Sequence, residues 1–204
     1  MFFFKTKKPK EETKPEISQE NLDLQLITNL NQEFALSLDL NETLNTALKV
    51  IINRINAQAA NIFLINEKIN KFECIASLNQ DHLNEYKLDL KDGVMAKAVE
   101  QKKCIRVGDV RKDVREIAEF YFDLDNKTNF TTYSVLCSPL IVSGECIGVI
   151  HCLNKKTGNK LFEENDRKLL ETLSGPAALA IRNAKMAKDL VEKKQNTERN
   201  RNCW

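Results

Sequence analysis

The sequence is poor in the residues that punctuate loop-rich or fibrous chains, with six glycines and four prolines in 204 residues. That excludes collagen-like and low-complexity architectures and leaves room for long regular elements. There are two histidines, His82 and His151, and no Cys-x-x-Cys pair. A structural zinc site needs such clustered ligands, so no metal centre is expected. Neither sign of charge is in excess: 31 Lys and Arg face 29 Asp and Glu, a net charge of +2. That balance leaves no electrostatic footprint for nucleic acid. No apolar run approaches the roughly 20 residues of a membrane span. Met1–Phe4 is too short for a signal-peptide core, and no small-residue cleavage site follows. A cytoplasmic protein without a transmembrane segment is expected. Catalytic signatures are missing too: no Gly-x-Ser-x-Gly elbow, P-loop, Gly-x-Gly-x-x-Gly or His-x-x-x-His occurs. The expectation is a non-enzyme with no cofactor.

What is present suffices for one domain. The hydrophobic share is 42% and the charged share 29%, ordinary for a globular chain of this length. Residues 1–20, with Pro9 and Pro15 among Lys and Glu, read as a disordered leader. Phe2–Phe4 beside Lys5, Lys7, Lys8 and Lys10 would touch an anionic membrane surface only weakly. The domain is expected over 21–190, its last helix ending near 195, with 196–204 a flexible tail. Cys74, Cys104, Cys137, Cys146 and Cys152 sit in apolar, strand-like runs and read as buried free thiols; Cys203 lies in the tail.

Periodicity orders the elements. A helical stripe runs from Leu22 to Leu38. Asp39 and Glu42, at capping-box spacing, open a second helix carrying Leu44, Leu48, Ile51, Ile52 and Ile55. Strands follow at 61–65, 72–78 and 86–90, a short helix at 94–100 and a short strand at 104–107. Residues 109–130 read as mostly irregular, with a helical piece near Ile117–Phe122. Two strands, Tyr133–Val142 and Cys146–Leu153, join at Ser143-Gly144. A helix then runs from Glu163 to about Gln195, with Gly175-Pro176 predicting a kink or break. This order implies an α+β fold: a central, mostly antiparallel sheet of about six strands. The N- and C-terminal helices would cover one face, and short helices and a 109–132 lid the other.

The polar insertion before the last hairpin stands out. Tyr121, Asp125, Thr128, Phe130 and Thr132 mix rings with donors and acceptors, the composition of a small-molecule site on a long loop. The structural alternative is that Asp125 and Thr128 cap a turn.

The stretch Val135–Lys155, ending Gly148-Val-Ile-His-Cys-Leu-Asn154-Lys155, resembles the last sheet hairpin of GAF domains. So does its lead-in, Asp125-Asn-Lys-Thr128-Asn-Phe130-Thr-Thr132. In GAF domains of cyclic-nucleotide phosphodiesterases and related cyclases, a signature runs Asn-Lys, a gap, Phe, three residues, Asp-Glu. Asn154, Lys155, Phe162 and Asp166 match it, and Arg167 replaces the last Glu. The resemblance spans roughly residues 22–190. It implies an ion pair between Lys155 and Asp166 that ties sheet to helix, with Phe162 packed beneath.

The resemblance also implies a ligand site at Asn61, Ser77, Val94, Met95, Tyr121, Asp125, Thr128, Thr132 and His151. The chain departs from cyclic-nucleotide-binding relatives in three places. It has no aromatic near Ser77 to stack on a purine, no acid at the His151 position, and Ala96 where a second glycine is usual. His151 reads either as a satisfied core residue or as a group that senses pH or an anionic ligand.

The implied function is that of a stand-alone regulatory domain binding a small molecule, with cyclic nucleotides as candidates. It would signal through a homodimer of its terminal helices to a separate output protein. Leu169, Leu173, Pro176, Ala180, Ala184, Ala187 and Val191 step as a helical seam would, although the same stripe also fits the chain's own sheet. Two alternatives remain: a dimerisation module with a vestigial pocket, and a methionine sulfoxide reductase using Cys104 and Cys137. Bilin attachment is disfavoured because no Cys-His dipeptide occurs.

Overall fold

The computed structural model describes residues 39–201, apart from 81, 82, 84, 85, 92 and 114, together with Gln25 and Thr28, both helical. The expected leader and nearly all of the expected Leu22–Leu38 helix lie outside the described residues, as does the end of the tail. Asp39 caps helix α1 (Leu40–Ile55): its Oδ1 accepts the Glu42 N–H at 2.8 Å, satisfying one of the helix's orphan donors. Asn56, with φ 57°, ends α1 and turns the chain into β1 (Ala57–Asn66).

Strands β2 (Lys71–Leu78) and β3 (Lys87–Asp89) follow, then α2 (Gly93–Gln101), β4 (Ile105–Val107) and α3 (Arg115–Thr128). Strands β5 (Val135–Val142) and β6 (Glu145–Lys155) form a hairpin, and α4 (Glu164–Arg201) closes the chain. Ser143 and Gly144 at the hairpin tip have φ of 53° and 84°, the two positive values a two-residue primed turn requires.

The six strands run β3-β2-β1-β6-β5-β4, and every pairing is antiparallel. The two longest strands, β1 and β6, lie at the centre and are buried on both faces, which is why their sequences read as nearly continuous apolar runs. One face carries Ile62, Leu64, Leu136, Leu140, Ile150 and Cys152 against α1 and α4. The other carries Ala59, Phe63, Val135, Cys137, Val149 and Leu153 against α2 and α3. Gly148 is required at the β1–β6 contact, since a Cβ there would sit 2.1 Å from the Phe63 carbonyl oxygen.

Three expectations are corrected. Residues 109–130 are not mostly irregular, because α3 spans fourteen of them. Its buried residues Ile117, Tyr121, Leu124 and Thr128 recur every three or four positions, but four on a surface of charges and amides make a faint signal. Helix α4 is not broken at Pro176 and runs on to Arg201, past the end expected near 195. The missing N–H of Pro176 costs one backbone bond. Leu170, Leu173, Ala177, Ala178 and Ile181 pack on the sheet side on both sides of it and keep the helix continuous. Strand β5 starts at Val135 rather than Tyr133, because the N–H groups of Tyr133 and Ser134 donate to Asn154 Oδ1 instead of a ladder.

Candidate functional site

Cross-strand partners on a sheet point to the same face. Asn61 on β1 stands opposite Ser77 on β2 and His151 on β6, and His151 stands opposite Cys137 on β5. These four side chains therefore form one polar row across the middle of the lid face, flanked by Phe63, Val149 and Leu153. Strand-to-strand spacing of about 4.8 Å makes the row about 14 Å long.

Two groups of hydrogen bonds close the row from above. The first links Ser77, Asn61, Gln80 and Thr128. Ser77 Oγ donates toward Asn61 Oδ1 at 2.7 Å and the Gln80 carbonyl at 2.6 Å. Asn61 Nδ2 donates to Gln80 Oε1 at 2.8 Å, and Gln80 Nε2 donates to Thr128 Oγ1 at 3.2 Å. Thr128 Oγ1 in turn bonds the Leu124 carbonyl at 2.8 Å. The last turn of α3 is thus tied to β1 and to the end of β2 through one buried amide.

The second group is a pair. Tyr121 Oη lies 2.7 Å from His151 Nε2, both side chains are buried, and the rings lie within 20° of parallel with centroids 5.8 Å apart. His151 Nδ1 is buried with no hydrogen-bond partner. Burial pushes the imidazole pKa down to about 3, so the ring is neutral and carries one proton. If Nε2 held it, both Nδ1 and the Tyr121 hydroxyl proton would be unpaired. If Nδ1 holds it, Tyr121 donates to Nε2 and one group is unpaired. The second arrangement leaves fewer buried polar groups unsatisfied, so His151 presents an N–H donor with nothing to receive it.

Of the other expected positions, Val94 and Met95 lie fully buried in the apolar packing of α2. Asp125 and Thr132 lie at the rim rather than in the row. Asp125 accepts from Thr132 N and Oγ1 at 2.7 and 2.6 Å, closing the turn after α3, and burial raises its pKa against those two bonds. Asp125 thus closes a turn, whereas Thr128 bonds the Leu124 carbonyl within α3 and accepts from Gln80. Outside this rim, a cleft of ≈ 800 Å³ runs between α3 and the approach to β5; Arg111, Phe122, Asn126 and Phe130 line it together with Tyr121, Asp125 and Thr132.

The signature residues do other work. Asn154, at φ 57°, uses its whole amide. It accepts from Tyr133 N and Ser134 N, and donates to the Thr131 carbonyl and Gln58 Oε1. Lys155 Nζ lies 2.7 Å from Asp166 Oδ1 and 2.7 Å from the Ile55 carbonyl, both side chains being largely buried. Asp166 Oδ2 also accepts the Glu163 N–H that precedes α4, the backbone-capping half of a capping box. Phe162 is fully buried.

Sequence reasoning missed Gln80 and the place of Cys137 in the row. Gln80 follows a strand in a polar stretch, where no periodicity marks a buried amide. Cys137 reads as apolar, and only strand register sets it beside His151. Cys104, its suggested partner in thiol chemistry, packs on the opposite face of the sheet. Burial pushes the Cys104 pKa up to about 12 and raises that of Cys137. Among the described residues no group of three His, Cys, Asp or Glu side chains is placed to hold a metal ion, and no helix is long and apolar enough to cross a membrane.

Known proteins resemble this chain at several levels. It is 25% identical over 179 residues to the dual 3′,5′-cyclic-AMP and -GMP phosphodiesterase 11A of Takifugu rubripes, an alignment covering 82% of this chain and 19% of that protein. A probable 3′,5′-cyclic phosphodiesterase of Caenorhabditis elegans is 25% identical over 71% of this chain and 20% of its own length. The chain thus spans about a fifth of these relatives. Among solved structures, the GAF domain of a phosphoenolpyruvate-protein phosphotransferase from Coxiella burnetii superposes with a TM-score of 0.68 at 16% identity, covering 84% of this chain and 99% of that one. A free methionine-R-sulfoxide reductase from Neisseria meningitidis has the same fold, with a TM-score of 0.63 at 17% identity over 83% of this chain and 94% of its own. The family model described as GAF domain matches residues 37–182, and the chain belongs to that family.

Proposed function

We propose that this chain is a non-catalytic, cytoplasmic regulatory domain. In this reading it senses a small molecule at the polar row between the sheet and α3, and reports through α4 to a second copy and a separate output protein. The observation that carries the reading is the unpaired Nδ1 of His151. A core kept only for packing gains nothing from a buried donor without an acceptor, which costs about 1–3 kcal/mol. A site that receives an acceptor from a ligand gives that donor a use. The cyclic-nucleotide phosphodiesterase relatives make cyclic AMP and cyclic GMP the first ligands to try.

The seam for a second copy is the exposed side of α4. Leu173 and Ala180, from the stripe expected to form it, are buried in the chain's own helix-side core, and Ala184 is buried as well. Leu179, Met186 and Leu190 are exposed, and with Asn183 they step by four, three and four, the spacing of a two-stranded coiled coil. Asp189 and Lys194 then fall at flanking positions that meet across a parallel pair with opposite charge.

Differential scanning fluorimetry against cyclic nucleotides, amino acids and common metabolites tests the sensing role. A ligand at about a hundred times its Kd stabilises the folded state by about 2.7 kcal/mol, several degrees for a domain of this size. The packed lid-side core favours a second reading, a dimerisation module with a vestigial pocket. A panel in which no compound raises the melting temperature would decide for that one.

A further inference from the structure

The row and its roof contain no charged side chain. Ser77, Asn61, His151, Cys137, Gln80, Tyr121 and Thr128 are all neutral donors or acceptors, and burial keeps the imidazole uncharged and the phenol and thiol protonated. Asp125, at the rim, already has both oxygens engaged by Thr132. The helix end that could hold an anion is the start of α2, and the ring of Phe120 covers it. A Cβ built on Gly93 would lie 2.9 Å from Phe120 Cδ1. An anion brought into this interior meets neither a counter-charge nor an open row of amides, and burying it unpaired is strongly unfavourable. In the cleft outside, Arg111 already stacks on Tyr133 and is outnumbered by Glu119, Asp123 and Asp125.

The shape of the slot beside His151 is set by what fills it now. The flat ring of Tyr121, carrying one hydroxyl, lies nearly parallel to the imidazole, with the edge of Phe63 at a centroid distance of 6.1 Å from it. Tyr121 also lines the ≈ 800 Å³ cleft on the outer side of α3. One side chain therefore lies between the cleft and the imidazole ring of His151. Rotating it out of the slot would open that ring to the cleft.

We propose that the ligand is an uncharged, planar heterocycle of the nucleobase class that enters by this cleft, displaces the Tyr121 ring and takes over its hydrogen bond to the His151 imidazole. This rests on the sensing role proposed above and narrows it. A ring of this kind matches the flat aromatic walls, and its amide-like edge matches Asn61 and Gln80, whose present hydrogen bonds to each other and to Thr128 can be exchanged for bonds to a ligand.

Isothermal titration calorimetry on the full chain tests it with three matched pairs: adenine and cyclic AMP, guanosine and cyclic GMP, cytosine and cyclic CMP. The neutral member of at least one pair should bind about tenfold or more tighter than its cyclic nucleotide, with an affinity that does not change between low and high salt. If the cyclic nucleotide binds equally well or better in every pair that binds, the uncharged-ligand proposal falls while the sensing role stands. If no neutral member binds, the proposal also falls, and the broader fluorimetry panel decides the sensing role by itself. His151→Phe, which keeps the core filled, should abolish binding of the neutral ligand; wild-type affinity in that variant would overturn the proposal. Tyr121→Phe should bind at least as tightly as wild type, because the bond that holds the ring in the slot is gone, and a loss of tenfold or more would make Tyr121 a ligand contact rather than a gate.

Discussion

The phenolic oxygen of Tyr121 lies 2.7 Å from His151 Nε2, while the other nitrogen of the same ring has no partner. One face of the sheet thus carries a half-satisfied polar centre, and its energetics can be taken apart by mutation. Tyr121→Phe should destabilise the fold by about 1–2 kcal/mol, because Nε2 becomes a second unpaired group. His151→Phe leaves the Tyr121 hydroxyl unpaired but removes the orphan N–H. The double variant removes all three polar atoms and should be at least as stable as wild type. Urea unfolding of the four proteins checks the ordering, and a double variant weaker than both singles would refute it.

Acid should loosen the domain through His151. Its folded pKa is about 3 and its ordinary value 6.5, so between those limits the unfolded chain binds a proton that the folded chain does not. Stability is then fully present above about pH 6.5 and falls as pH drops towards 3, by up to about 1.4 kcal/mol per pH unit. Asp125 acts in the opposite sense. Its folded pKa is raised, so its contribution is present at low pH and is lost as pH rises past the ordinary carboxylate range. Melting temperatures from pH 7.5 to 5 should fall in wild type and fall less in His151→Phe, which lacks that group.

Lys155 and Asp166 are 14% and 13% exposed and 2.7 Å apart. Removing one partner of so buried a pair leaves an uncompensated charge, so Lys155→Ala should cost about 3 kcal/mol. Lys155→Met combined with Asp166→Leu should recover much of that loss. Thermal melts in a double-mutant cycle separate the pair's coupling from the loss of side-chain packing.

The thiols should be quiet. Burial pushes Cys74 and Cys104 up to about 12 and raises Cys137, Cys146 and Cys152 as well. At pH 7.5 the thiolate fraction of Cys74 and Cys104 is then well below about one in a thousand. Ellman's reagent should label these five slowly in the native protein and rapidly in guanidinium chloride. Turnover of methionine sulfoxide that depends on Cys104 and Cys137 would contradict this and favour the reductase alternative.

The coiled-coil seam predicts a mass. Leu190→Asp or Met186→Asp should convert a dimer to a monomer in sedimentation equilibrium without changing the melting profile of the α/β core. Asn183→Leu should keep the assembly and raise its thermal stability, with looser control of copy number. A wild-type chain that sediments as a monomer at about 100 μM, far above the Kd expected of a stable dimer, would refute the seam.

The fold was largely readable from residue patterning. β1, β2, β5 and β6 are apolar runs bounded by turn residues, and α1 carries both its cap and its buried stripe. The lid was harder. Ile117, Tyr121, Leu124 and Thr128 give α3 only a narrow buried face, and charges and amides around it look like a loop. The continuity of α4 at Pro176 was hidden because the packing on both sides of the proline outweighs its local preference. Site residues divide in the same way. Asn61, Ser77 and His151 fall in a single row because strand register aligns them, and register is a tertiary quantity that one strand's sequence does not specify. Gln80 has no local mark at all. It matters because its amide reaches residues 19 and 48 positions away in the chain.

Helix α4 is 38 residues long, and from Lys185 to Gln195 every residue except Ala187 is exposed. Its buried half is seated on the sheet, and its first turn is pinned by Lys155 and Asp166. Ser134 Oγ holds the Lys160 carbonyl just before it, two residues along the chain from Thr132, which anchors Asp125 of the lid. The exposed half is therefore a lever arm on a helix whose first turn lies beside the lid's own tether. From Lys185 to Arg201 the arm is about 25 Å long, so a tilt of about 10° at its base carries the far end about 4 Å. That is about three-quarters of the pitch of one helical turn, enough to move the proposed seam of side chains out of register. A displacement too small to disturb the core would be magnified into a change that a second protein can read.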